Sequence, residues 1–233
     1  MSFFVDWNSD KENCKSTEDY ENKFIRSSLC SIESLLNGNE EELAAAYAVL
    51  QNTALSTFLM KVKSLNNLRG LQAADVPCFS SLENGASRLN ELLLFSPDGL
   101  TFSEIGYQLM NSVSDAARKK YGENHSKLAA TMSLVTLSTY RPIVVKPTAW
   151  GNFLTRYTFS EKKDVLRKLL LRDICVQHIL SHAFLGPVRY RDVVSFLSDS
   201  TKTRRGTNVR ALVNFILEDT EYEIVLSNIN WEV

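Results

Sequence analysis

The stretch Ser198–Asp219 constrains the fold more than any other. Val209, Leu212, Val213 and Ile216 recur at i, i+3, i+4 and i+7, a spacing that suits an α-helix with one buried face. Ser198, Ser200 and Thr201 are the residue types that cap a helix start. On the helical wheel Thr203, Arg204, Thr207, Ala211 and Asn214 fall opposite the apolar stripe. Arg205 lies near the stripe, at the end where its side chain is expected to bend outward. Ser200–Leu217 is thus expected to bury aliphatic side chains and to offer Arg, Thr and Asn on its other face. A short segment ending at Leu197 precedes it, and Tyr222–Leu226 reads as a strand after it.

Only 9 Gly and 5 Pro in 233 residues favour long helices over tight turns, and 44% hydrophobic with 23% charged residues suits a folded core. No apolar run approaches the roughly 20 residues that a membrane-spanning helix needs. The start, Met1-Ser-Phe-Phe-Val-Asp-Trp7, is short and soon acidic, unlike a signal peptide. Cys14, Cys30, Cys78 and Cys175 have no paired spacing, which suits reduced thiols in a cytoplasm.

The net charge of −1 conceals a polarity. Residues 1–95 hold 8 Lys+Arg against 13 Asp+Glu, and residues 96–233 hold 18 against 14. All 18 of those basic residues lie between Arg118 and Arg210. A basic middle in a near-neutral chain is the charge pattern of a phosphate-binding surface.

Several elements precede the basic helix. Glu21–Leu36 is expected to be a helix and Asn39 to cap a second, with Glu42 completing a capping box and the helix running to about Arg69. The two would form a helical hairpin, a scaffold or partner surface. Asn84–Phe95 reads as an amphipathic helix, Ser96–Gly99 as a turn, and Leu100–Met110 as a helix with a Thr or Ser cap. Ser114–Tyr121 is expected to end at Gly122. Asn124 then caps Ser126–Ser138, with Leu128, Met132 and Val135 inward and Ser126, Lys127, Ala130 and Ser133 outward. Arg141–Pro147 reads as a wing or an edge strand. Ser160 is expected to cap one long helix from Glu161 to about Phe184, followed by a Gly186-Pro187 turn and a short helix Tyr190–Leu197.

The sequence offers little catalytic chemistry. Asp98 and Glu104 lack the Glu-x-Lys that a metal-dependent nuclease uses, and they suit a turn and a helix start. Cys175, His178 and His182 share a helix face but lack a fourth ligand or a His-Glu-x-x-His pattern. His125 reads as a helix-start residue. No Gly-rich phosphate loop and no recognisable nucleophile context occurs. The expectation is a non-enzymatic protein with no metal and no cofactor.

Helix, turn, short helix, helix, strand occurs twice in this reading, and residues 84–233 resemble a tandem winged helix-turn-helix region. Leu197–Ile216, a Ser/Thr-rich cap leading into Arg204-Arg205 and an apolar helix, is similar to modules attached to prokaryotic restriction and phage-defence proteins. Tandem winged helices also occur in proteins that bind linker subunits of chromosome-organising complexes. The expected fold is mainly α: an N-terminal helical region (1–83) for scaffolding or dimerisation, then two winged-helix modules (84–155 and 156–233) with short β wings. The resemblance implies double-stranded DNA as partner, with the third helix of each module in the major groove. The expected contacts are Arg118, Lys119, Lys120, Ser126 and Lys127 in the first module. In the second they are Arg189, Arg191, Lys202, Thr203, Arg204, Arg205, Thr207, Asn208 and Arg210. A protein-interaction scaffold is the alternative, favoured by the acidic first 95 residues.

Overall fold

The computed structural model describes residues 36–65, 68–111 and 114–232, and they are mainly helical with a few short strands. Helix α1 (Glu40–Asn52) starts as the sequence predicts: Asn39 Oδ1 accepts from the Glu42 N–H, and the Glu42 carboxylate accepts from the Asn39 N–H. The helix does not run on to Arg69. Thr53 and Ala54 are extended, and α2 (Leu55–Lys63) leaves at 80° to α1. The bend lets Leu43, Ala46, Val49 and Leu50 of α1 reach the same core as Phe58, Leu59 and Val62 of α2. The expected partner helix at 21–36 lies outside the described residues but for its last position.

The next segment alternates helices with an antiparallel sheet. Helix α3 opens with a π-helical stretch, Asn84–Arg88, and continues as α-helix through Leu89–Leu93. Ser96–Gly99 is a turn as expected: the Gly99 N–H donates to Ser96 O at 2.8 Å, and Gly99 takes φ +92°. Strand β1 (Leu100–Thr101) leads into α4 (Phe102–Leu109), where Thr101 and Glu104 form a reciprocal capping box. Helix α5 (Asp115–Thr131) is continuous, so the expected break at Gly122 does not occur. Gly122 marks a helix crossing instead: a Cβ there would lie 2.0 Å from Phe102 O, and one at Gly106 would lie 1.8 Å from Arg118 O. Strands β2 (Val135–Leu137) and β3 (Val144–Pro147) follow. The sheet order is β1-β3-β2, with Leu100 opposite Val145 and Thr136 opposite Lys146. Part of the run expected at an edge or wing is therefore the central strand, with Pro147 at its very end.

After α6 (Ala149–Leu154), the expected long helix Glu161–Phe184 is two helices, α7 (Lys163–Leu170) and α8 (Ile174–Ala183). Asp173 separates them: its backbone is extended and its Oδ1 accepts from the Val176 N–H at 3.0 Å, capping α8. Ser160 is not the cap. Thr158 and Glu161 exchange hydrogen bonds ahead of α7 instead. Strand β4 (Val188–Arg189), α9 (Tyr190–Val193) and α10 (Asp199–Leu217) come next. The expected strand Tyr222–Leu226 is replaced by a 3-10 helix, Glu223–Asn228, and the strand that follows, β5 (Ile229–Asn230), pairs in parallel with β4. Tyr190 is fully buried between Trp231, at 5.7 Å between ring centroids, and Gly206 of α10.

The buried residues form one cluster from Leu43 to Ile229. Buried cations from Lys162, just ahead of α7, and from α7 itself tie it to four other helices. Lys162 Nζ donates to Leu154 O and Ser87 Oγ, Arg167 to Phe215 O and Glu218 O, and Lys168 to Leu50 O and Gln51 O. Ser87 lies on α3, and the carbonyls belong to the C-terminal ends of α6, α10 and α1, where helix backbone acceptors lack intrahelical partners and the dipole favours positive charge. No single described helix is long and apolar enough to cross a membrane.

Candidate nucleic-acid interface

Helix α10 presents the face that the wheel predicts. Val209, Leu212, Val213 and Ile216 are fully buried, while Thr203, Arg204, Thr207, Arg210 and Ala211 are exposed and Asn214 is half-buried. Ser198 occupies the cap position, but its Oγ donates to Thr201 Oγ1 at 3.0 Å rather than accepting a backbone N–H. Lys202 reaches Asp199 at 3.1 Å. Arg189 and Arg191 are exposed at the junction of β4 and α9.

Two expected contacts on α10 have structural duties instead. Arg205 turns inward, its Nη1 donating to Ala73 O and Val76 O, and the Asn208 amide donates to Phe79 O. Both side chains hold the 73–79 segment against the helix, so neither faces outward as the sequence reading expects. That segment supplies bare carbonyls next to α10, and buried carbonyls need donors.

On α5 the expected residues separate in the same way. Ser126 is fully buried and its Oγ has no partner among the described residues, because a continuous helix from Asp115 turns this position inward beside His125 and Ala129. Ser133 is buried too, in a left-handed conformation just past the helix end. His125 sits mid-helix rather than at a start. Its ring spans Tyr121 O, at 2.8 Å from Nδ1, and the Ser81 N–H, at 3.4 Å from Nε2; burial lowers its pKa and favours the neutral ring.

Lys119, Lys120 and Lys127 of α5 are exposed, and Arg118 is half-buried. Arg118 bonds Asp115 at 3.2 Å and lies over the Tyr107 ring at 5.0 Å. Lys120 and Lys127 share Glu123, at 3.0 and 2.6 Å. Burial opposes ionisation of Glu123, but the two ammonium groups prevail and hold its carboxyl below the ordinary value. Lys119 is exposed, with no acidic partner among the described residues.

The structure adds residues that the sequence reading passed over. The β2–β3 hairpin exposes Tyr140 and Arg141 at its tip and Lys146 on β3. Arg141, Pro142 and Ile143 form one wall of an open groove of about 440 Å³, and the start of α4 with Lys119 and Glu123 forms the other. The signal was present in the sequence as an aromatic and an Arg between two β-like runs.

The Cys175, His178, His182 set does not converge. Cys175 is fully buried with its thiol pKa pushed up by burial, and His178 Nε2 is 2.8 Å from Arg69 O. Among the described residues, no three His, Cys, Asp or Glu side chains are grouped to hold a metal. Comparison of the chain with protein-family models, with curated proteins and with solved structures returned no match.

Proposed function

We propose that the protein binds double-stranded DNA without catalysing a reaction on it, using α5 with the β2–β3 hairpin as one contact face and α10 as another. The observation that carries this reading is where the unpaired cations lie. Most Lys and Arg between Arg118 and Arg210 bond an acid or cap a carbonyl. Lys119, Arg141, Lys146, Arg189, Arg191, Arg204 and Arg210 have no acidic partner among the described residues. They lie on α5, the hairpin, the start of α9 and the outer stripe of α10. Exposed cations on helices and a hairpin suit a run of phosphates.

The order helix, strand, helix, helix, strand, strand in 84–147, with sheet order β1-β3-β2, supports reading that segment as a winged helix-turn-helix. In such a module α5 enters the major groove and the hairpin lies alongside. The 156–233 segment follows the same helical order, but its strands are one parallel pair and it has no hairpin among the described residues. Its contribution rests on α10, whose exposed Arg204, Thr207 and Arg210 would supply contacts to phosphates and base edges. The resemblance of Leu197–Ile216 to modules of restriction and phage-defence proteins extends the proposal to a recognition or regulatory subunit of such a system.

Fluorescence anisotropy with a random 30-base-pair duplex across a salt series tests this. Affinity should fall steeply with salt, and combined Arg204→Ala and Arg210→Ala should lower the log–log slope by about 1.8, roughly 0.9 per phosphate contact. No binding at low salt would overturn the proposal. A protein-interaction scaffold is the second reading, favoured by large apolar side chains left in solvent at Phe95 (87% exposed), Leu185 (77%) and Ile224 (75%). A stable co-purifying partner together with no salt-sensitive DNA binding would select it.

A further inference from the structure

We propose that the groove beside the β2–β3 hairpin takes an unpaired strand, so that the preferred partner is a duplex with a single-stranded tail. This inference rests on the DNA-binding reading and names the form of DNA that it selects. The groove measures about 440 Å³, a volume on the scale of a small-ligand site.

Its walls mix two chemistries. Lys119 and Arg141 bring exposed cations with no acidic partner among the described residues. Phe102, Pro142 and Ile143 bring apolar atoms, and Ser103 brings an exposed hydroxyl. The one carboxylate among the lining residues belongs to Glu123, and Lys120 and Lys127 hold it at 3.0 and 2.6 Å. Phosphate therefore meets two free cations and an acid that is already paired. A continuous duplex has little use for the apolar part of such a wall, because its flat base faces are stacked inside. An unpaired strand shows phosphates and base faces side by side, and a groove that binds it needs cations and apolar surface together.

The hairpin tip adds an aromatic ring. Tyr140 is 84% exposed, so its ring packs against almost nothing in the chain, and it directly precedes Arg141. The backbone that carries the ring is braced. Ser138 Oγ donates to Tyr140 O at 3.1 Å and accepts from the Val144 N–H at 2.8 Å, and the Ser138 N–H donates to Val144 O at 2.9 Å. One serine thus ties both sides of the hairpin to the residue at its tip. Every base has a π-face, so a ring presented in this way stacks on an unpaired base of any identity. The cation of Arg141, next in the chain, is then at hand for the adjoining phosphate.

Three labelled probes test the proposal by fluorescence anisotropy with the full-length protein. One is a blunt duplex, and the second is the same duplex with a tail of about five thymines, close to the shortest stretch that a single-strand groove covers. The third carries an abasic tail of equal length, which adds the phosphates without the bases. Tails are placed on the 3′ and the 5′ end in turn. The thymine tail should bind about tenfold more tightly than the abasic tail on at least one end, the effect of about one stacked base. Tyr140→Ala should reduce that ratio to about twofold or less, whereas Tyr140→Phe, which keeps the ring, should preserve it. Both variants change a side chain that stands in solvent, so both should fold as the parent does.

Equal affinity for thymine and abasic tails, with the blunt duplex still bound in a salt-sensitive way, would overturn this inference and leave the DNA-binding reading standing. So would a thymine preference that survives Tyr140→Ala. No salt-sensitive binding of any probe would remove the DNA-binding reading itself, and this inference with it.

Discussion

Replacing Gly122 by Ala sets two effects of known size against each other. An isolated helix gains about 1 kcal/mol from Gly→Ala at an interior position. Gly122 is interior to α5, so propensity alone predicts a more stable protein. The crossing with α4 predicts the opposite. The new methyl carbon would lie 2.0 Å from Phe102 O and 3.1 Å from Gly106 N, and ordinary contact begins near 3.4 Å. The helices must separate by about 1.4 Å, and the obstacle is backbone, which cannot rotate away as a side chain can. Overpacking of this kind costs about 1–3 kcal/mol and occasionally more. The expected net effect is a loss of about 1–2 kcal/mol. For a chain of this size that lowers Tm by about 2–8 °C. Differential scanning calorimetry would read it, with Gly70→Ala as the control because nothing lies within 4 Å of the methyl group added there. A Gly122→Ala protein as stable as the parent, or more so, would refute the close approach of α4 and α5.

The adjacent arginines of α10 should respond differently. Arg204→Ala should reduce the salt slope of DNA binding by about 0.9 and leave Tm nearly unchanged. Arg205→Ala should cost about 1–3 kcal/mol of stability and leave the slope alone, as judged by parallel anisotropy and thermal melts. Lys168→Met removes the donor to Leu50 O and Gln51 O while keeping an apolar stem, so a loss of about 1–3 kcal/mol is expected in urea unfolding; no loss would mean those carbonyls need no partner. Asp173 gives a pH signature. Burial, reinforced by Asp75 and opposed by the Val176 and Cys175 N–H groups, raises its carboxyl pKa to about 7. An unfolded Asp titrates near 3.9, so between about pH 4 and 7 the native state holds a proton that the unfolded chain has lost. Stability from this group is full below about pH 4 and falls as pH rises to 7. Asp173→Asn retains the cap acceptor and should flatten that part of the curve. Parallel stability–pH curves would rule the effect out.

Local signals are legible in the sequence, because each depends on neighbours a few residues away. The Asn39–Glu42 box, the Ser96–Gly99 turn, the Thr101 cap and the apolar stripe of α10 are all of this kind. Features set by distant partners were not legible. Gly122 looks like a helix stop until α4 is known to cross there. Arg205 and Asn208 look like solvent-facing polar residues until the 73–79 carbonyls arrive from about 130 residues away. A break at Gly122 resets the helix register and turns Ser126 outward, whereas the continuous α5 turns it inward. The division of Glu161–Phe184 had a readable cause, since an Asp followed by apolar sequence is itself a cap signal. Arg141 opens the run that reads as a wing or an edge strand, but that run alone does not show that its first residue stands exposed at a hairpin tip.

The cations of Lys162, Arg167 and Lys168 have a consequence for how this chain comes apart. Each of them sits on the end of a different helix, so their partners are spread from Leu50 to Glu218. Trimming the chain to 84–233 would strip Lys168 of both its acceptors and open the apolar ground that α1 and α2 cover. An ammonium left buried and unpartnered is costly enough to favour water entry over a closed core. The N-terminal helices therefore behave as a keystone, not an appendage. Proteolysis should show α1 to α10 resisting together and then failing together, and amide exchange should find α1, α6 and α10 opening in one step.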